Sequence, residues 1–321
     1  WPDQTDDLAR FYPGSTLVTA PEILFFWVAR MIMSGLEFMN EVPFTTVYLH
    51  GTVRDTKHRK MSKSLGNGID PLDVVRIYGA DALRYTVVSG LSVGTDLILD
   101  PADLEASFSP GRNFANKLWN VGRFILSNLD GPVRPLAGDY DNVVGKHELT
   151  LADRWIIGRC EDTVREATAA YERFRLNDAA LAVHRFLWSD LADWYVEIIK
   201  PRLYGDFPGG DVARAVVTQT FDVALRLLHP VMPFITETLW RRLPGRGEDK
   251  SISVAPWPGS DRRASNGDAL RRFGLLQELV GAIRSIRAEY AVEPGQAVRA
   301  TLVAGGQDAK AVLIHNSNIV M

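Results

Sequence analysis

Residues 45–79 read TTVYLHGTVRDTKHRKMSKSLGNGIDPLDVVRIYG, and the way this stretch divides decides the fold. Its opening, TTVYLHGTV, is β-branched and apolar, as a buried strand is. A polar run follows, in which Arg54, Lys57, Arg59, Lys60 and Lys63 stand against a single acid, Asp55. PLDVVRIYG then has the marks of a short helix: Asp70 at the cap, Pro71 in the first turn and Gly79 as its stop.

Working outward, STLVTA (residues 15–20) reads as another strand, and Pro21-Glu22 opens a long apolar run, EILFFWVARMIMSGLEFM. Arg30 and Glu37 interrupt the run, and it falls short of the ~20 apolar residues of a membrane span. A buried helix covering a sheet is expected instead. Strand, helix, strand in this order implies a right-handed crossover and a parallel sheet. The cationic loop then leaves the second strand at its C-terminal end, the edge at which open α/β sheets bind ligands. ADALRYTVVSGL is the next helix.

Beyond residue 110 the texture turns helical. Residues 112–129 and three long stretches between 149 and 243 place apolar residues at spacings of three and four, as at Leu181, His184, Trp188, Leu191 and Tyr195. Pro201, Pro230 and Pro233 are expected to kink or end their helices. The pattern predicts a helical bundle. GDYDNVVGKHE (residues 138–148) reads as a polar linker, and PGRGEDKS and PGSDRRASNGD mark a second break. A last amphipathic helix, ALRRFGLLQELVGAIRSIRAEY, and a strand, AVRATLVA, follow. There are no internal repeats.

The 321 residues are 46% hydrophobic and 23% charged, ordinary for a chain with a real core. A net charge of -3 gives no bulk support for nucleic-acid binding, so such a partner has to be read from local patches. The one cysteine, Cys160, excludes an internal disulfide framework and a four-cysteine zinc site, and it fits core packing in a reducing, cytoplasmic setting. Trp at position 1 and the bare C-terminal AVLIHNSNIVM suggest a piece of a longer protein, with no signal peptide at its start.

The loop invites two interpretations. A charge run is usually a solvated turn. Here it follows a buried strand, Ser62 and Ser64 can donate to anionic oxygens, and Gly66 lets the backbone approach a bulky ligand. Such a loop suits a polyphosphate whose charge grows during reaction. It is not a P-loop, since no Gly-x-x-x-x-Gly-Lys run occurs.

KMSKS resembles the second signature of class I aminoacyl-tRNA synthetases. The wider LHGTVRDTKHRKMSKSLGNGIDPLDVVRIYGADALRY, together with FFWVARMIM, GRNFANKLWN, DWYVEIIKPRL and HPVMPFITETLW, resembles the valyl family among them. The isoleucyl and leucyl families share the architecture and are the near alternative. A non-catalytic tRNA-binding module with a vestigial loop is the alternative from another class.

The resemblance implies an α/β region followed by an all-α region. Residues 1–110 would be the C-terminal part of a Rossmann-like catalytic domain and 111–148 a connecting helix and linker. Residues 149–258 would form a helical anticodon-binding domain and 259–321 a C-terminal connecting segment. It implies valine, ATP with Mg²⁺, and tRNA(Val) as substrates and partners of a cytoplasmic monomer that does not enter membranes. Lys63 matches the family's ATP-binding lysine and Lys60 is its neighbour; Ser62 and Ser64 would hold the loop or touch phosphate. His50 and Gly51 would lie near the adenosine, although His50 could equally be a satisfied strand-end histidine. Trp27 resembles a residue walling the amino-acid pocket and could equally be helix core. Arg154, Arg185, Arg202, Arg241 and Arg242 are the anticodon candidates, each also suited to a solvated helix face, while Trp188, Trp194 and Tyr195 sit at core-like spacing. Three features depart from the family. The His-x-Gly-His signature is absent, as is the editing insertion, and Glu22 stands where the family pattern has Asp.

Overall fold

The computed structural model describes residues 3–129, 149–246, 249–260, 267–293, 295–303 and 305–316. The chain forms two compact units, the first comprising Trp1–Asn116, Glu166–Ala182 and Pro230–Ile235 and the second the remainder.

In the first unit, α1 (Asp6–Phe11) starts at Thr5, whose hydroxyl accepts from the Leu8 N–H. Strands β1 (Gly14–Thr19) and β2 (Phe44–Leu49) pair in parallel, with Gly14 opposite Phe44 and Thr19 opposite Leu49. The crossover is a 3-10 turn (Pro21–Ile23), a π-helical stretch (Leu24–Val28) and α2 (Ala29–Met39), which stops at Asn40 in the left-handed conformation. The βαβ order agrees with the expectation from sequence. The buried helix does not. Of this run only Val28 and Gly35 are buried, while Phe25 is 85% and Met33 69% exposed. Two paired strands are too little sheet to cover the helix, and most of its apolar surface stays open.

TTVYLHGTV also divides in two. β2 ends at Leu49, and β3 (Val53–Arg54) belongs to a second parallel pair with β4 (Leu97–Ile98). The break falls at Gly51, where the backbone comes so close to Thr95 that a Cβ would lie 1.8 Å from its carbonyl oxygen. α3 (Pro71–Tyr78) is capped by the Asp70 carboxylate on the Leu72 N–H, and α4 (Ala80–Gly90) follows after Gly79. Val74, Leu97, Leu99 and Phe108 close a core beneath the second strand pair.

Helix α5 (Leu104–Ser127) starts eight residues before the sequence suggests and carries Pro110 within it. α6 (Leu151–Glu172) is followed by α7 (Leu176–Arg185), a π-helical stretch (Phe186–Tyr195) and α8 (Val196–Leu203), a continuous run with Pro201 inside its last turn. α9 (Gly210–Leu228) and α10 (Pro233–Trp240) are separated where Pro230 and Pro233 predict a break. The second unit's core stacks Trp155 on Phe273 at 4.0 Å between ring centres. Its polar centre is Asp153, fully buried, which accepts from Thr150 at the α6 cap, from the Tyr195 hydroxyl at 2.6 Å and from Arg202 at 2.9 Å. Burial, then the neighbouring Asp153 charge, pushes the Tyr195 phenol well up.

α11 (Gly267–Glu289) is the last helix expected, but its apolar residues do not gather on one face, and only Ala269, Phe273 and Leu276, in its first half, are buried. Residues 297–303 form no strand; a short helix, α12 (Gln307–His315), follows. A lone extended segment without a paired edge leaves its backbone to water, so its alternating pattern alone cannot make a strand. The linker at 138–148 lies outside the described residues. Among the described residues no helix is long and apolar enough to cross a membrane.

Candidate nucleotide-binding loop

The loop leaves β3 and folds back at once, with Arg54 bridged to Lys60 across it. Asp55, only 3% exposed, sits inside the turn. One carboxylate oxygen accepts from the backbone N–H of Lys57 (3.0 Å) and of Arg59 (2.9 Å). The other accepts from the Arg59 guanidinium (2.9 Å) and the Asn67 amide (2.9 Å). These donors, the Asn67 amide foremost, hold the Asp55 carboxyl far below the usual carboxylate range.

Asn67 closes the far end of the loop. Its Oδ1 accepts from the Ser62 N–H at 3.0 Å, and its Nδ2 also reaches the Lys60 carbonyl at 3.4 Å. Between these two points Met61 packs against the Val74–Phe108 core. The loop is thus pinned by one apolar and two polar groups, and its lysines are left outside.

Ser62 caps a 3-10 turn (Lys63–Leu65) by accepting from the Leu65 N–H at 3.3 Å, and its hydroxyl lies 3.2 Å from that of Ser64. Gly66 ends the turn at φ 61°, a left-handed conformation that favours glycine. Ser62 is therefore at work in the turn itself.

The five cations divide by partner. Arg54 pairs with Asp96 and donates to the His58 carbonyl, and Arg59 pairs with Asp55. Lys60 Nζ meets Glu22 Oε1 at 2.9 Å, an exposed pair that draws the Glu22 carboxyl below its ordinary range, chiefly through the hydrogen bond from Lys60. Lys57 and Lys63 have no ion-pair partner among the described residues.

Lys60, Ser62, Lys63 and Ser64 share this loop, whereas His50 and Gly51 lie between β2 and β3, before the strand that the loop leaves. His50 extends the β1–β2 ladder through its N–H to the Thr19 carbonyl, and its ring Nδ1 lies 2.8 Å from the Gly51 carbonyl oxygen. Trp27 is not core: it is 57% exposed, with the Arg30 guanidinium 5.9 Å from its ring centre. It lies on the segment that Glu22 begins. Asp55, Met61 and Asn67 were not singled out from the sequence. The only signals were a lone acid in a basic run and an amide after the Gly66 turn.

In the second unit Arg202 is no surface cation. Its side chain is 10% exposed and bound to Asp153, since a guanidinium taken from water requires a charge partner. Arg241 pairs with Glu237, and Arg242 lies 5.4 Å over the Trp119 ring. Arg185 is exposed and Arg154 half-buried. Tyr195 is core; Trp188 stacks on His184, and Trp194 lies under Arg284. Cys160 is buried, which pushes its thiol up and leaves it inert. A cavity of about 950 Å³ opens in this unit, with Trp194, Phe207, Arg272, Arg284 and His315 on its wall.

Two family profiles match. Residues 1–100 match "tRNA synthetases class I (I, L, M and V)" and residues 153–302 match "Anticodon-binding domain of tRNA ligase". The valine–tRNA ligase of Carboxydothermus hydrogenoformans is 45% identical over 317 residues, covering 99% of this chain and 35% of the relative. That of Thermotoga maritima is 45% identical, with 93% of this chain and 33% of the relative covered. The chain therefore spans about a third of the length of the curated relatives it matches. Among solved structures, Mycobacterium tuberculosis methionyl-tRNA synthetase in complex with methionyl-adenylate superposes with a TM-score of 0.61 at 22% identity, over 80% of this chain and 50% of that one. The Agrobacterium radiobacter K84 agnB2 LeuRS-tRNA-LeuAMS complex gives 0.58 at 22% identity, over 79% and 29%. At that identity the two structures establish a shared fold.

Proposed function

Because this chain belongs to the class I tRNA synthetases and aligns along nearly its whole length with valine–tRNA ligases, we propose that it serves the ATP-dependent joining of valine to tRNA(Val). The observation that carries this reading is the loop: its anchoring groups point inward, and Lys60 and Lys63 are left facing solvent.

In the first step a valine carboxylate oxygen attacks the α-phosphorus of ATP, and the bond to the bridging oxygen of pyrophosphate breaks. Negative charge grows on the leaving pyrophosphate. Lys63, with no acid paired to it among the described residues, and Lys60, once released from Glu22, would donate to those oxygens. A preorganised donor of this kind is worth roughly 3–4 kcal/mol in other enzymes. Lys60 and Lys63 are the catalytic residues of this reading. ATP would also meet Ser64, His50 and Gly51, with Ser62 acting through the turn it caps, and Trp27 would face the valine side chain. The Mg²⁺ expected with ATP finds no ligand nest here: among the described residues no three His, Cys, Asp or Glu side chains cluster. The ion would travel with the triphosphate, and no step is assigned to it.

In the second step the valyl group passes to the terminal adenosine of tRNA. Residues 149–258 would hold the anticodon end and 259–321 would connect onward. The aromatic and arginine side chains lining the second unit's cavity suit unstacked bases, which pair stacking faces with cations. The enzyme is read as a cytoplasmic monomer.

Valine-dependent ATP–pyrophosphate exchange in the full-length protein tests the proposal. Exchange selective for valine over isoleucine is expected. Selectivity for isoleucine would move the specificity within the class. A folded protein that binds tRNA without any exchange would overturn the catalytic reading in favour of a binding module.

A further inference from the structure

A solvated basic turn needs no buried carboxylate, yet this one is built around Asp55, with four donors on its two oxygens. Asn67 is buried beside it. The orientation of the Asn67 amide follows from its neighbours. A carboxylate only accepts, so Nδ2 faces Asp55; the Ser62 N–H only donates, so Oδ1 faces Ser62. In that orientation Nδ2 also lies 3.4 Å from the Lys60 carbonyl. One side chain therefore grips the backbone on either side of Met61, at Lys60 and at Ser62. From Ser62 the capped turn leads directly to Lys63.

We propose that Asn67, keyed by Asp55, is a positioning residue that fixes the backbone from which Lys60 and Lys63 extend before a triphosphate arrives. Neither residue touches substrate. Each acts through backbone, by holding the two lysines as one unit when Lys60 leaves Glu22. A looser loop would still carry both charges, but it would spend part of the reaction's driving force on ordering them. The inference rests on the proposed function, since it concerns the same loop.

The test uses the full-length enzyme, with Asn67→Asp, Asn67→Ala and Asp55→Asn. Asn67→Asp keeps shape and the acceptor for Ser62 but turns the donor toward Asp55 into a second carboxylate. Two reactions are read: valine-dependent ATP–pyrophosphate exchange, and transfer to tRNA from supplied valyl-adenylate, which carries no pyrophosphate. We expect kcat for exchange to fall about 10- to 100-fold. The KM for valine and the transfer rate should stay within about threefold, and the Asp55→Asn/Asn67→Ala double variant should be little worse than the poorer single one. Exchange within about twofold of the parent in both Asn67 variants would overturn the proposal, and so would equal losses in exchange and transfer. Absence of exchange in the parent enzyme would instead remove the function on which the proposal rests.

Discussion

Lys63 projects from a capped turn with no acid beside it among the described residues, whereas Lys60 is held by Glu22 at 2.9 Å. The two lysines should therefore respond differently to substitution. Lys63→Ala should lower the activation rate by about 10²–10³ with little change in valine binding, measured by exchange kinetics and equilibrium binding; equal losses in both would deny a transition-state role. Glu22→Gln should free Lys60, lowering the KM for ATP without moving the melting temperature, because exposed ion pairs add little stability. The Glu22 carboxyl is depressed in the folded chain, so the pair is intact above the ordinary glutamate range and is lost as pH falls through the lowered value. An ATP KM that falls as the solution is acidified through that window is the corresponding signature. At Gly51 the constraint is steric: Gly51→Ala would drive a Cβ to 1.8 Å from the Thr95 carbonyl oxygen. It should destabilise by about 1–3 kcal/mol or more in chemical unfolding, whatever its part near a nucleotide. Lys60, Lys63 and the two serines could be found in sequence because charge and hydroxyl chemistry are local. Asp55 and Asn67 could not, because their worth lies in meeting each other across twelve residues.

Among the elements, the α6 cap shows the same dependence on distant partners. Thr150 and Asp153 form a local cap that sequence can suggest, but the Asp153 carboxylate also carries the buried Arg202 and the Tyr195 hydroxyl. Asp153→Ala should cost about 3–5 kcal/mol in urea unfolding, since it leaves a guanidinium buried without its counter-charge. A loss below about 1 kcal/mol would mean that Arg202 escapes to water, the usual outcome at exposed pairs. The π-stretch and α2 behave in the opposite way. Their periodicity predicts burial, and the structure leaves Phe25 and Met33 open to solvent. Replacing both by Ser should raise solubility and lower binding of a hydrophobic dye to this chain, without lowering its melting temperature. Hydrophobic pattern reports that a face wants cover. It does not report whether this stretch of chain supplies the cover.

For the whole molecule, a net charge of -3 says nothing in favour of a nucleic-acid partner, while the second unit's cavity brings Arg272 and Arg284 together with Trp194 and Phe207. The 321-residue chain by itself should show no valine-dependent exchange, because it carries KMSKS and no His-x-Gly-His run; detectable exchange by the purified chain would refute this. By itself the sequence determined the βαβ start, the capped α3, the helical remainder and the charge of the loop between them. Each of these depends on periods, caps and charges set within a few neighbouring residues. Only the tertiary structure decided that TTVYLHGTV serves two strand pairs, that Arg202 is an internal ion, that residues 297–303 pair with no strand among the described residues, and that Asn67 grips the loop. Those outcomes depend on which groups meet at long range, where burial without a partner is costly and a local pattern is silent about who the partner is.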